Sequence, residues 1–132
     1  ATTDEIREKL MPINRKYKIA DLLEAARDFF DRRGYRVTFE YVLMAGLTDL
    51  DEDALRLAKL TRDTPCKINL IPYNELEEDG LYRRPSRRRL DQFYRLLRDS
   101  GTEFTVRESR GRDIDAACGQ LYHQQEKVRT AL

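Results

Sequence analysis

The chain carries two thiols, and the one in the more open setting is Cys118. It lies between Ala117 and Gly119, so its sulfur is sterically accessible, as a nucleophile or a group carrier requires. Asp113 and Asp115 would raise the pKa of this thiol if they lie close, because nearby negative charge disfavours the thiolate. A small buried cysteine is the structural alternative, and the residues alone leave both hypotheses open.

The remaining metal-binding or nucleophilic side chains are Cys66 and the single histidine, His123. We expect Cys66, at the start of a predicted strand, to pack in the core. We expect His123 to be exposed and to have no role in function. Because the two cysteines lie far apart, the chain alone can form neither a zinc finger nor a complete iron–sulfur site. The same spacing argues against a disulfide-stapled secreted scaffold, and no signal peptide is evident, so we expect a cytoplasmic protein.

Seven arginines lie in the segment 82–98, where Asp91 is the one acidic residue. Arg87–Arg89 fall in the first turn of a predicted helix, where positive charge opposes the helix dipole. A sequence can tolerate this unfavourable interaction with the helix dipole where the arginines bind phosphate. The pattern therefore favours RNA or another polyanion as a ligand. Tyr82 and Tyr94 offer rings for base stacking, whereas the structural alternative is a solvated helix face. The candidate RNA contacts are Arg83, Arg84, Arg87, Arg88 and Arg89.

Polar residues also interrupt two predicted strands. On a parallel strand that is buried on both faces, side chains such as Glu40, Lys67 and Asn69 usually point into a barrel or a crevice that binds a ligand. An internal hydrogen bond or a Glu–Lys pair would explain them equally well. Asn74 follows a predicted strand directly and is a ligand contact by position, or else a turn former.

Composition limits the class of protein. The chain has 132 residues, 25 basic and 24 acidic, for a net charge of +1. We expect one domain, residues 1–132, since two independent cores would each be small. No apolar run approaches the roughly 18 residues that span a bilayer, which excludes membrane insertion. Five Phe and seven Tyr among regularly spaced aliphatic residues argue against disorder.

Apolar spacing and turn residues predict helices alternating with strands. Thr2 and Glu5 form a capping box for a first helix that Pro12 ends, and Gly34 ends the second helix. Helices are predicted at about 3–10, 19–33, 54–60 and 87–100, strands at 37–44, 67–73 and 104–107, and a final helical or irregular segment after the loop 109–113.

This alternation predicts an α/β fold with parallel strands and right-handed crossovers. Three parallel strands are few for a stable sheet, so we interpret the chain as part of a larger α/β sheet or barrel. Ligands of such folds gather beyond the carboxyl ends of the strands. Those positions are residues 45–50, 74–85 and 108–120.

Four segments, in the same order, resemble one family: the bacterial radical SAM RNA methyltransferases that methylate carbon 2 of adenine in 23S rRNA and tRNA. The segments are 10–17 (LMPINRKY), 37–41 (VTFEY), 65–74 (PCKINLIPYN) and 110–121 (RGRDIDAACGQL). The last of these is highly specific to the family and its adenine carbon-8 relatives. The resemblance implies the C-terminal half of such an enzyme, with the α/β fold of the C-terminal part of a partial (β/α) radical SAM barrel.

The same resemblance implies roles for two residues. Cys118 stands where the family's cysteine accepts a methyl group from S-adenosyl-L-methionine, and Asn74 where its asparagine contacts S-adenosylmethionine. The family's 4Fe-4S cluster is held by a C-x-x-x-C-x-x-C motif that this chain lacks. The expected partners are therefore the missing N-terminal half of the enzyme, an electron donor for the cluster, and the 23S rRNA and tRNA substrates. The fragment alone is expected to be inactive.

Three alternatives stay open. The first is an adenine carbon-8 rRNA methyltransferase. The second is a non-catalytic RNA-binding module that uses the surface from Arg83 to Arg98, with Cys118 in a structural role. The third is an interaction domain that docks a partner through an exposed sheet edge.

Overall fold

The computed structural model describes residues 1–75, 80–108 and 129–131. Its helices and strands follow one another as predicted through the middle of the chain. They are α1 (Asp4–Leu10), a 3-10 helix (Pro12–Arg15), α2 (Ile19–Arg33), β1 (Val37–Leu43), α3 (Asp51–Thr61), β2 (Cys66–Pro72), α4 (Arg87–Asp99), β3 (Thr105–Val106) and β4 (Arg129–Ala131).

The strands form a parallel sheet in the order β3-β2-β1-β4. β1 and β2 pair along their whole length, from Val37 opposite Cys66 to Leu43 opposite Pro72. The predicted α/β class with parallel strands is therefore confirmed. The fourth strand was not predicted: its three residues pair with the outer edge of β1, where Thr38 lies opposite Arg129.

One face of the sheet packs against α2, α3 and α4. Phe39 and Tyr41 of β1 are fully buried on this face, and the Tyr41 ring stacks on Phe93 of α4 with centroids 5.8 Å apart. All three helices contribute to a single apolar core, and α3 and α4 each connect two successive parallel strands of the sheet. The remaining core residues are Ile19, Leu23, Ala26, Val37, Leu43, Ala54, Leu57, Ala58, Ile68, Leu70, Leu90, Tyr94 and Leu97.

The opposite face of the sheet carries several polar residues and lies outside this core. Residues of β1 alternate between buried and half-buried, so Glu40 lies on the half-buried face. Asn69 of β2 is its partner in the sheet register, and the Thr105 hydroxyl of β3 donates to Asn69 Oδ1 at 3.1 Å. Lys67 is exposed on the same face. The polar strand residues therefore line a surface open to a ligand or to further structure.

The first helix begins one residue later than predicted. Thr3, not Thr2, is its N-cap, because the Thr3 hydroxyl accepts from the backbone N–H of Ile6 at 3.4 Å. Thr2 instead donates its hydroxyl to Asp53 at the start of α3, at 2.6 Å. A hydroxyl already bonded across 51 residues is not available to cap the helix beside it.

The later helix ends follow the sequence. The Ser86 hydroxyl caps α4 by accepting from Arg89 N at 3.2 Å, and Gly34 ends α2 with a φ of +72°, where a side chain would be strained. Within the described part of the chain, no helix is both long and apolar enough to cross a membrane. That residues 1–132 form a single domain stays a prediction.

Candidate functional site

The candidate site lies at the edge of the sheet where the parallel strands end, called the carboxyl edge below. Pairing of β1 and β2 continues one residue past β2, since Tyr73 N donates to Leu43 O at 2.9 Å. Asn74, the next residue, is half-buried directly beyond the paired strand ends. The structure thus places it where parallel α/β folds bind ligands.

The segment 80–85 folds back over this edge. Ala45, just after β1, donates its backbone N–H to the carbonyl of Arg83 at 2.8 Å. The Tyr82 ring meets the Tyr73 ring edge-on, with centroids 5.9 Å apart and planes at 78°. These contacts bring the arginine-rich segment beside Asn74.

The two tyrosines singled out for base stacking differ in exposure. Tyr82 is 37% exposed at the carboxyl edge. Tyr94 is buried in the core, where its ring packs 5.7 Å from that of Phe104, and burial followed by the charge of Glu108 raises the pKa of its phenol. The prediction of base stacking is therefore wrong for Tyr94.

Arg84 joins two of the loops at this edge. Its guanidinium Nη2 donates to both carboxylate oxygens of Glu108, at 2.9 and 3.1 Å. Its backbone N–H donates to Glu75 Oε1 at 3.0 Å. Glu75 follows Asn74 directly, and Glu108 lies just beyond β3, so one residue connects the segments that follow β2 and β3.

Arg89 is also engaged within the chain. Its Nη1 donates to Asp51 Oδ1 at 3.0 Å, and its Nη2 donates to the carbonyl of Asp49. These contacts tie the first turn of α4 to the start of α3. A guanidinium with two such partners is less available to a phosphate than an exposed one.

The three other candidate arginines are exposed. Arg83 and Arg88 have open side chains, and Arg87 makes a surface ion pair with Asp91 at 3.3 Å in which both side chains are more than half exposed. Such a pair is weak and is readily exchanged for a contact with phosphate. Of the five candidate arginines, Arg84 and Arg89 are therefore half-buried and hydrogen-bonded to neighbouring loops, whereas Arg83, Arg87 and Arg88 are exposed.

The candidate nucleophile, Cys118, and His123 lie outside the described residues. Cys66 is half-buried at the start of β2, and burial raises the pKa of its thiol, an effect that Arg36 partly offsets. This is the setting of a packing cysteine. Over residues 1–75, 80–108 and 129–131, no group of three or more His, Cys, Asp or Glu side chains could hold a metal ion.

The partners of the arginines were not predicted from the sequence: they are the carboxylates of Glu75, Glu108 and Asp51 and the backbone carbonyl of Asp49. Each lies within a few residues of a strand end or a helix start. That position is the signal available in the sequence, because loops at the carboxyl edge of a parallel sheet converge in space. Which acid meets which arginine depends on loop geometry that spacing does not encode.

Comparison with known proteins finds the chain similar to a segment of longer enzymes. It is 54% identical over 122 residues to the dual-specificity RNA methyltransferase RlmN of Anaeromyxobacter sp. (strain Fw109-5), a match that covers 92% of this chain and 32% of that protein. Other RlmN-type relatives match with similar coverage, so the chain spans about a third of the length of the curated relatives it matches. No protein-family model matches the chain.

Solved structures support the same fold. A radical SAM methyltransferase from Sphaerobacter thermophilus superposes with a TM-score of 0.81 at 47% identity, covering 91% of this chain and 35% of that one. A domain of pyruvate-formate lyase-activating enzyme from Bacteroides vulgatus shares the fold at a TM-score of 0.60 and 16% identity, over 79% of this chain and 60% of that one.

Proposed function

This chain is homologous, over nearly its whole length, to a segment of the RlmN-type dual-specificity RNA methyltransferases, and we propose that it serves as that segment of a radical SAM RNA methyltransferase. The observation that carries the proposal is the 54% identity over 92% of the chain. The proposed reaction is methylation of carbon 2 of adenine in 23S rRNA and tRNA. The chain spans about a third of the length of these relatives. We further propose that the activity belongs to a complete enzyme and that this chain alone is inactive.

Cys118 is the proposed methyl carrier. In the loading step its thiol loses a proton to solvent, and the sulfur forms a bond to the methyl carbon of S-adenosylmethionine. The bond from that carbon to the sulfonium sulfur breaks, and S-adenosylhomocysteine leaves with the electron pair. The step requires no oxidant and no reductant. It also requires no RNA, so it can be measured separately from RNA methylation.

Asn74 is the proposed contact to S-adenosylmethionine. It is half-buried beyond the ends of β1 and β2, where its amide can both donate and accept hydrogen bonds. The location agrees with ligand binding at the carboxyl edge of parallel α/β folds.

A 4Fe-4S cluster, which supplies reductive cleavage of S-adenosylmethionine in radical SAM enzymes, does not fit the residues of this chain. The chain has two cysteines, 52 positions apart, whereas a cluster of this type needs at least three thiolates. The described residues also offer no alternative group of ligands. The cluster ligands, and the docking site of its electron donor, are therefore assigned to the remainder of the complete enzyme.

The exposed arginines Arg83, Arg87 and Arg88 are the proposed contacts to RNA phosphates. They lie at the N-terminal end of α4 and in the segment that folds over the carboxyl edge, so bound RNA would lie next to Asn74. Arg84 and Arg89, the other two candidates, already have carboxylate or carbonyl partners. Tyr82 offers a partly exposed ring beside them for an unpaired base.

The test uses the complete enzyme with S-adenosylmethionine labelled in its methyl group, a reducing system, and 23S rRNA or tRNA. We expect label in a Cys118 peptide before RNA is added and 2-methyladenosine in the digested RNA afterwards. Formation of 8-methyladenosine instead would assign the chain to the carbon-8 relatives. RNA binding without any methyl transfer would support a non-catalytic module and overturn the proposal.

A further inference from the structure

We infer that the outer face of α4 binds the backbone of a base-paired RNA segment and that Arg95 is one of its phosphate contacts, an inference that rests on the function proposed above. The outer face is defined by Arg88, Gln92, Arg95 and Asp99, which recur every three or four residues and so lie on one side of the helix. It begins next to the carboxyl edge and extends away from that edge along α4. The contacts to RNA proposed above reach only the first turn of this helix, whereas Arg95 lies two turns further along.

The outer face lies opposite the side of α4 that packs in the core. Arg88 and Arg95 both have exposed side chains, and seven residues of helix separate them by about 10.5 Å along the axis. The outer face therefore presents two cationic side chains that are two helical turns apart on one rigid element. The buried side of the helix consists of Leu90, Phe93, Tyr94 and Leu97.

Positive charge is concentrated on α4. Its 13 residues include five arginines and two aspartates, whereas the net charge of the whole chain is +1. One aspartate, Asp91, pairs with Arg87 at 3.3 Å, and the other, Asp99, is the last residue of the helix. A surface on which cations outnumber acids in this way is complementary to a polyanion. The long side chains also enclose an open groove along the helix, which is lined by Arg87, Arg88, Arg89, Asp91, Gln92 and Arg95.

The guanidinium of Arg95 has a partner that orients it without neutralising it. Gln92, one turn earlier on the outer face, accepts a hydrogen bond from Arg95 Nη2 through its side-chain oxygen. An amide carries no net charge, so Arg95 keeps its full positive charge at the surface. It differs in this from Arg84, Arg87 and Arg89, each of which contacts a carboxylate. Arg95 is therefore better placed than these three to bind a phosphate.

α4 presents no aromatic ring to solvent, because both of its aromatic residues, Phe93 and Tyr94, are buried in the core. Proteins that bind unpaired RNA combine positive charge with exposed aromatic side chains, whereas base-paired RNA is recognised through its phosphates and ribose hydroxyls. The outer face therefore fits a paired segment. Tyr82, at the carboxyl edge, provides the exposed ring for an unpaired base, so the paired segment would extend from that edge along α4.

The experiment measures how binding to the complete enzyme depends on salt concentration for two probes: an RNA duplex of about 16 base pairs, and polyuridine with the same number of phosphates. In Arg95→Gln, the slope of log affinity against log salt should decrease by about 0.9 for the duplex and stay unchanged for polyuridine. Arg95→Lys retains the charge and should keep the duplex slope of the unaltered enzyme. The matched control is Arg98→Gln, the same change on the same helix, where the guanidinium lies 5.8 Å from the centre of the Phe104 ring and outside the outer face. It should leave both slopes unchanged.

An unchanged duplex slope in Arg95→Gln, or no duplex binding by the unaltered enzyme, would overturn the inference. An equal decrease for both probes would show that α4 holds the phosphates of unpaired RNA as well, and would overturn the assignment to paired RNA. The same enzyme preparation is assayed for methylation of 23S rRNA or tRNA. Methylation together with an unchanged duplex slope rejects the inference and leaves the proposed function intact. Absence of methylation by the unaltered enzyme rejects the proposed function itself, whatever the duplex slope.

Discussion

The guanidinium of Arg89 lies 3.0 Å from Asp51 Oδ1, and so a residue in the first turn of α4 is bonded to the first residue of α3. A second hydrogen bond from Arg89 reaches the carbonyl of the buried Asp49. The two helices thereby support each other at the end nearest the candidate site. This contact explains how α4 tolerates a positive charge in its first turn, because nearby acidic and carbonyl groups offset the unfavourable helix dipole.

Arg89→Gln should lower the free energy of unfolding by about 1 kcal/mol, the range expected for a partly exposed charge-assisted contact. Arg88→Gln is the matched control: it removes the same charge one residue earlier, where the side chain is exposed, and should change stability by less than about 0.5 kcal/mol. Urea denaturation compares the two. Equal stability of both variants would show that the contact to Asp51 and Asp49 contributes nothing.

The turn after β1 depends on one buried hydroxyl. Thr48 is 1% exposed, and its Oγ1 accepts from Met44 N at 2.8 Å and donates to Val42 O at 2.7 Å. Thr48→Val keeps the shape but leaves the amide without its acceptor, so we expect a loss of about 1–3 kcal/mol in the free energy of unfolding.

Thr61→Val provides the control for this prediction. The Thr61 hydroxyl is also buried, but it donates to the Leu57 carbonyl within α3, which the helix backbone satisfies already. Its replacement should cost less than about 1 kcal/mol. A Thr48→Val protein as stable as the Thr61→Val protein in the same urea titration would contradict the role of the hydroxyl in the turn.

The sequence predicted the elements that have strong local patterns. The apolar spacing of α2 and α4 and the β-branched and aromatic run of β1 gave bounds within a residue or two of those observed. β4 could not be predicted, since its three residues, Arg-Thr-Ala, carry no alternating pattern and form a strand by pairing with β1 some 90 positions earlier. The N-cap at Thr3 was missed for a similar reason, because the partner of Thr2 is the distant Asp53.

The candidate site was predictable in location but not in its pairing. The position of Asn74 follows from the strand pattern, and the exposure of Arg88 agrees with the charge pattern. The engagement of Arg84 by Glu108 and of Arg89 by Asp51 depends on how loops converge in three dimensions. The role of Cys118 stays a prediction from the family resemblance, as the residue lies outside the described part of the chain.

Cys118→Ala should abolish transfer of labelled methyl from S-adenosylmethionine to protein and to RNA in the complete enzyme, because alanine has no sulfur to carry the group. Cys66→Ala is the control with the same change of side chain. Its half-buried thiol has a pKa raised by burial and is expected only to pack, so methylation should be largely retained. Substantial adenine methylation by the Cys118→Ala enzyme would contradict the assignment.

The chain alone, residues 1–132, should bind no iron–sulfur cluster and should not cleave S-adenosylmethionine. Its two separated cysteines cannot supply three thiolates to one cluster. Anaerobic reconstitution with iron and sulfide, followed by absorbance spectroscopy and iron analysis, measures this directly. One cluster per chain under these conditions would show that ligands other than a three-cysteine motif are sufficient.

The exposed arginines should determine how RNA binding responds to salt. If Arg83, Arg87 and Arg88 each neutralise a phosphate, the logarithm of the affinity falls linearly with the logarithm of salt concentration, and each lost contact lowers the slope by about 0.7–0.9. In the complete enzyme, Arg87→Gln with Arg88→Gln should therefore reduce the slope by about 1.4–1.8. Folding should be preserved, since glutamine is a good helix former and removal of positive charge relieves the helix dipole.

A matched pair on another helix separates this effect from a general loss of charge. Arg32 and Arg33 are exposed in the last turn of α2, and their replacement by Gln removes the same two charges. That protein should keep the original slope. The Arg87 and Arg88 variant should weaken binding to all RNA sequences alike, because phosphate contacts position RNA and do not distinguish bases. An unchanged slope in that variant would leave these arginines as a solvated helix face and require RNA to bind elsewhere on the enzyme.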